Sequence, residues 1–312
     1  MLDHVLNILD LLDRPDATGD AIAEHLRAIA PDLDVRVERV EGEDGRTDFV
    51  KVVVPGTRGK SAGGDAPTLG VIGRHGGSGA RPGRIGYVSD GDGAAATLAA
   101  AAKLASMHAR GDRLDGDLIL ATHVCPDAPT RPHKPVEFMS SPVGMEIMNA
   151  HEVDAAMDAI VSIDTTKGNR IVNHRGIAIT PTVMQGWVLP VADDALTIYE
   201  RVCGIPAVVL PLSVQDVTPY GNGVFHVNSI LQPATATQAP VIGIAITAAS
   251  VVAGSATGAS HETDIALAAR YAVEWGKDLG RGRAALVDRD EFARLVDMYG
   301  DMQHLQTMGT GA

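Results

Sequence analysis

The sequence predicts a three-layer α/β/α fold built on a mostly parallel central sheet. Short apolar runs recur along the 312 residues with helical patterns between them, and one strand–helix–strand unit is legible in full. Hydrophobic residues make up 45% of the chain but aromatics only 4%, so alanine, valine and glycine must build the core. No composition shift or linker interrupts residues 1–312, which read as a single α/β domain.

Leucine, isoleucine and alanine recur at helical spacing over 2–12 and 18–30, and Thr18 with Asp20 offers a start to the second helix. "LDVRVERVEG" alternates apolar and charged residues as a strand does, and "DFVKVVVPG" ends on a Pro-Gly turn. Two short strands are expected at 68–74, "TLGVIGR", and 84–89, "RIGYVS". Residues 94–110, "AAATLAAAAKLASMHAR", form the clearest helix, and the strand "GDLILATHVC" closes the strand–helix–strand unit. Further strands are expected in "DAIVSIDTT", "AIAITPTVM", "PAVVLPLSV" and "PVIGIAITA", with helices around 191–202 and 263–278. The last residues, "QTMGTGA", read as a loose tail.

A formal net charge of -13 argues against nucleic acid as partner, because phosphate binding draws on clustered Lys and Arg. Two cysteines, Cys125 and Cys203, fit unpaired thiols in a reducing cytoplasm. The N-terminus carries acids from residue 3 and lacks a basic n-region with an apolar h-region, so it reads as folded helix. The apolar stretch at 239–260 is dominated by Ala, Gly, Ser and Thr, which argues against a membrane span.

The run "IGRHGGSGARPGRIGYVSDGDGA" at 72–94 raises the question of a phosphate cradle. A dinucleotide fingerprint needs GxGxxG between a strand and a helix, whereas these glycines lead into an expected strand. "GTRGKS" at 56–61 fails the phosphate-loop pattern because its first glycine is replaced by Val54.

Ligand sites in open α/β sheets form beyond the carboxyl ends of strands, so the polar residues that terminate apolar runs are the candidates. They are His75, Asp90, the group His123, Cys125 and Asp127, and Asp164; His261 precedes the late helix. His and Asp are ligand types for zinc, and His75, Asp90, Asp127, Asp164 and His261 supply the five donors that a two-ion site would need. Taken singly, each has a plainer role: Asp90 and Asp92 suit turns or the cap of the following helix, and a lone histidine suits a structural hydrogen bond.

The order of "IGRH", "VSDGDGAAATLAAAAKLA", "LILATHVCPDAP", "VSIDTT" and "SHETD" resembles the cocatalytic zinc aminopeptidases and the related carboxypeptidases and deacylases. "RPGRIGYVSDGDGA" is also similar to an uncharacterised bacterial and archaeal family of about this length. The resemblance implies a zinc-aminopeptidase-like fold, one or two ions of zinc or another divalent metal, and Asp90 as bridging ligand. Two departures stand out. Gly77 occupies the place of an aspartate that orients catalytic groups, and Cys125-Pro126 replaces the paired glutamates, which leaves Asp127 or His123 for the base role.

The expected activity is therefore a cytoplasmic metal-dependent hydrolase cleaving an amide or peptide bond. Its substrate would be small and carboxylate-bearing: an amino acid amide, an N-acyl amino acid or a short peptide. Arg131, His133, Lys134 and His226 are candidate anchors for that carboxylate, with Lys167, Asn169, His174 and Arg175 close in sequence to Asp164. Two alternatives stay open: a non-catalytic binding or scaffold protein that keeps the fold, and a metal-free amidase using Cys125 with His123 nearby. A homo-oligomer is expected by fold analogy.

Overall fold

The computed structural model describes residues 1–134, 136–167, 171–252 and 255–309. Helices α1 (Leu2–Leu12) and α2 (Gly19–Ile29) come first; Thr18 caps α2, its hydroxyl accepting from the Ala21 N–H at 3.2 Å. Both are amphipathic: Val5, Ile8 and Leu12 of α1 and Ile22, Ala23 and Leu26 of α2 face inward.

Strands β1 (Asp34–Gly42) and β2 (Gly45–Val54) form an antiparallel hairpin, followed by β3 (Leu69–Gly73), α3 (Asp92–Ala109) and β4 (Leu118–Val124). β5 (Thr130–Arg131) and β6 (Phe138–Met139) make a small separate ribbon, and α4 (Met145–Glu152) leads to β7 (Ala159–Thr165). β8 (Gly176–Ile179), β9 (Val183–Met184), β10 (Trp187–Val188), α5 (Asp193–Cys203), β11 (Val241–Thr247), α6 (Glu262–Gly280) and α7 (Arg289–Tyr299) complete the order.

The sheet runs β1-β2-β4-β3-β7-β11, with β3 parallel to both β4 and β7, and β7 parallel to β11. β2 joins β4 antiparallel, and β8 and β9 pair antiparallel with β11, so antiparallel margins flank a parallel centre. Alternate residues of the central strands feed two cores. Val71, Leu120, Val161 and Ile244 pack with α1, α2, α3, α5 and α6; Ile72, Ile119, Ile160 and Val241 pack under the irregular segment holding Val217 and Ile230. α4 and the 3₁₀ turn Gln232–Ala236 also cover this second face.

α3 is buried nearly all round and touches β3, β4, β7, α1, α2 and α6. Its alanines allow this, since a helix with small side chains packs close to a sheet and to three helices at once. Closeness is sharpest at its first turn. A Cβ on Gly93 would lie 2.5 Å from the Ile163 carbonyl oxygen and 2.7 Å from that of Arg74.

Two expected strands are absent. Residues 84–89 form a turn, because the Arg84 N–H bonds back to the Ala80 carbonyl and Gly86 sits at φ +89°. The segment "PAVVLPLSV" makes one bridge, Ile179 to Val209, and no ladder; its two prolines lack the N–H that a strand interior needs. Part of the expected loose tail is tied down: Gln306 Nε2 donates to the carbonyls of Ala234 and Thr237. Residues 310–312 lie outside the described residues. Among the described residues no helix is long and apolar enough to cross a membrane, and 241–247 of the apolar 239–260 stretch is strand β11.

Candidate functional site

The carboxyl ends of β3, β4 and β7 converge where α3 begins, and the topology brings His75, His123, Asp90 and Asp164 to that edge. The glycine-rich run makes the convergence possible. Asp90 Oδ2 accepts from the Gly76 N–H at 2.6 Å and the Gly77 N–H at 3.0 Å. A Cβ on Gly76 would lie 2.5 Å from the Ser140 carbonyl oxygen, and one on Gly77 would lie 2.2 Å from Ala128 Cβ. These glycines therefore cradle an anion, and the anion is the chain's own Asp90 carboxylate.

His75 and His123 stack face to face, ring centroids 4.0 Å apart and planes within 12°. His75 Nε2 donates to the His123 carbonyl at 2.7 Å, and burial holds its pKa well below the usual histidine range, with the neighbouring His123 adding to the effect. His123 Nδ1 faces Glu152 Oε1 at 3.0 Å. The carboxylate fixes that nitrogen as the donor and leaves the His123 Nε2 lone pair without a partner among the described residues. Glu152, fully buried at the end of α4, also pairs through Oε2 with the Arg74 guanidinium, itself 1% exposed.

Asp164, at the end of β7, accepts from the Ser229 hydroxyl at 2.5 Å and from the Thr165 N–H at 2.7 Å. Burial, opposed by the Ser229 bond and reinforced by the Asp90 charge, pushes its carboxyl up to about 7. Burial likewise raises Asp90 to about 6, against the Gly77 and Gly76 N–H bonds that hold it down. Two acids that sense each other's charge thus stand beside an imidazole with an open nitrogen. A second buried group adjoins them. Lys167 Nζ lies 2.6 Å from Asp92 Oδ2 and 2.8 Å from the Ala259 carbonyl oxygen, and the Ser260 hydroxyl donates to Asp92 Oδ1 at 2.5 Å.

The other expected site residues form no hydrogen bond with this group among the described residues. Asp127 is exposed on the segment after β4, its Oδ1 3.6 Å from Cys125 Sγ. His261 is the half-buried residue preceding α6, and its side chain caps nothing. Among the described residues no three His, Cys, Asp or Glu side chains gather as a metal centre, so the set His75, Asp90, Asp127, Asp164 and His261 does not close around one ion. The His75 nitrogen Nε2 is already given to a carbonyl, and the Asp90 and Asp164 oxygens to N–H and O–H donors. Burial pushes the Cys125 thiol up to about 12, the reverse of what a nucleophilic cysteine requires.

Of the expected carboxylate anchors, Arg131, His133 and Lys134 are exposed, while His226 stacks on Tyr220 at 4.6 Å and bonds Thr218. Arg175 sits 3.8 Å from Asp264, and Asn169 lies outside the described residues. Arg74, Glu152, Ser229 and Lys167 complete the buried network. Lys167 is expected from its place close to Asp164 in sequence; Arg74 also carries a signal, as a charge that ends an apolar strand immediately before His75, and Glu152 and Ser229 carry none.

The profile of a family described as "Protein of unknown function (DUF1177)" matches residues 38–309. No curated protein matches the chain. Among solved structures it is similar to a tomato leucine aminopeptidase mutant, at 13% identity and a TM-score of 0.53, over 87% of this chain. The chain spans 60% of that aminopeptidase's length, and at this identity the likeness speaks for the α/β fold alone. Matched over most of its length, the chain belongs to the DUF1177 family.

Proposed function

We propose that this protein hydrolyses an amide or peptide bond in a small substrate, an amino acid amide, N-acyl amino acid or short peptide, by acid–base catalysis at Asp90 and Asp164. One observation carries the reading: two neighbouring carboxyl groups, Asp90 half-buried and Asp164 buried, raised to about 6 and about 7 at the carboxyl edge of a parallel sheet. Carboxyl groups so raised exchange protons near neutral pH, and a pair whose pKa values differ separates into a base and an acid.

In this scheme Asp90, the lower of the two and the less buried, takes a proton from the attacking water. Protonated Asp164 lends its proton to the substrate carbonyl oxygen and takes it back as the tetrahedral intermediate collapses, while Asp90 passes the proton it took from water to the departing nitrogen. His123 Nε2, held by the Glu152 contact to Nδ1, orients the water by accepting its second proton in a hydrogen bond. The donor chemistry of Asp90, Asp164 and His123 suits a divalent cation, but the arrangement does not close around one, and no step here passes through a metal.

A panel of amino acid amides, N-acyl amino acids and dipeptides, assayed with the purified protein between about pH 5 and pH 8, tests the scheme. Turnover is expected, reduced at least about a hundredfold by Asp164→Asn, with metal content by elemental analysis unrelated to rate. Turnover that tracks a stoichiometric metal would replace the acid pair by a metal hydrolase. Absence of turnover across the panel would leave a binding protein, the reading favoured by the fact that Asp90 and Asp164 already have bonded partners within the chain.

A further inference from the structure

A cavity of about 1340 Å³ lies on the α4 face of the sheet, walled by α4, the Pro219–Tyr220 segment and the 3₁₀ turn at Gln232–Ala236. Glu146, Asn149 and Ala150 present one stripe of α4 to it, at the i, i+3, i+4 spacing that places side chains on one helix face, and Val153 lines it just past the helix end. The same helix supplies Glu152 to the buried histidine.

Asn149 is the informative residue. It is 7% exposed, and its Nδ2 donates to the Gln232 carbonyl at 3.1 Å and to the Thr235 hydroxyl oxygen at 3.2 Å. The Thr235 proton is itself given to the Gln232 carbonyl at 2.8 Å, so both neighbours of the amide are acceptors and its orientation is fixed. Asn149 Oδ1 is then an acceptor only, buried and without a partner among the described residues. An orphaned buried acceptor in a cavity wall calls for a donor from outside the chain.

The charges around it specify which donor. Glu146, one turn earlier on the same stripe, is exposed to the cavity and forms no ion pair among the described residues. Asp158 also lines the cavity, but Lys60 at 2.8 Å and the Thr68 N–H at 2.8 Å hold its carboxylate. Arg289, the one lining cation among the described residues, projects from the start of α7, another element. Beside Asn149 the wall thus offers one carboxylate, one amide oxygen and the apolar sides of Ala150 and Val153.

We propose that this cavity is a binding site for a ligand bearing a protonated primary amine on an aliphatic chain. The ammonium would sit between Glu146 and Asn149 Oδ1 and the chain along Ala150 and Val153. This site goes beyond the hydrolytic reading and does not depend on it, because binding is measured without turnover.

The probe is n-pentylamine, titrated into the full chain by ligand-observed NMR, with pentan-1-ol as the uncharged comparison. Saturable binding of the amine, at least about tenfold tighter than the alcohol, is expected. Glu146→Gln should weaken it about tenfold or more, and Asn149→Leu should do the same if the variant folds. Glu146 is exposed and unpaired, so its variant folds whatever Asn149→Leu does, and it also separates this site from diffuse attraction to an acidic protein. Equal affinity for amine and alcohol, no saturable binding, or an affinity that Glu146→Gln leaves unchanged would overturn the proposal.

Discussion

Asp164 is ionised only against the pull of its surroundings. Its carboxyl is raised from 3.8 to about 7 in the folded chain, so between those values the folded state binds a proton that the unfolded state has released. The group's contribution to stability is therefore fully present below about pH 4 and is lost as pH rises through about 7. Asp164→Asn removes that loss. Urea unfolding should show the variant more stable than wild type by roughly 3 kcal/mol near pH 8, with the gap closing near pH 4. Glu152→Ala should act oppositely, since it strands the buried Arg74 guanidinium and frees His123 Nδ1; a loss of about 3–5 kcal/mol in the same measurement is expected. The two sites differ in how far they were legible. His75, Asp90, His123 and Asp164 could be collected because each ends an apolar run. Glu152 could not, because its partner Arg74 is 78 residues away and a glutamate on a short polar helix reads as a solvated face.

At the scale of elements, periodicity served the helices well. The expected spans 2–12, 18–30, 94–110, 191–202 and 263–278 all lie on observed helices, because each carries a repeating apolar face or an alanine-rich run. Residues 84–89 failed because a short apolar run cannot by itself distinguish a strand from a turn that buries Val88. The start of α3 shows packing overriding propensity. Alanine is the better helix former by about 1 kcal/mol, yet Gly93→Ala should lower stability by about 2 kcal/mol or more, because its Cβ has no room beside the Ile163 and Arg74 carbonyls. Gly144→Ala, at the start of α4 with open space around its Cβ, should move the melting temperature little by comparison.

For the molecule as a whole, the alternation of strands and helices pointed to the layered sheet, while strand order was beyond reach because it depends on contacts distant in sequence. The family match begins at residue 38, but the main core begins earlier: Val5, Ile8, Leu12, Ile22 and Leu26 are at most 1% exposed within it. Deleting residues 1–30 should therefore expose an apolar face of α3, seen as dye binding to exposed hydrophobic surface and as loss of a single cooperative unfolding transition. α3 also bears on how this sequence can drift. Its alanines stand between a sheet and three helices, and almost every replacement for alanine is larger. A library randomised at the buried alanines within residues 94–105 should thus retain small residues at those positions, with the depletion rising with side-chain volume. At those alanines ancestry would be preserved by a ceiling on size.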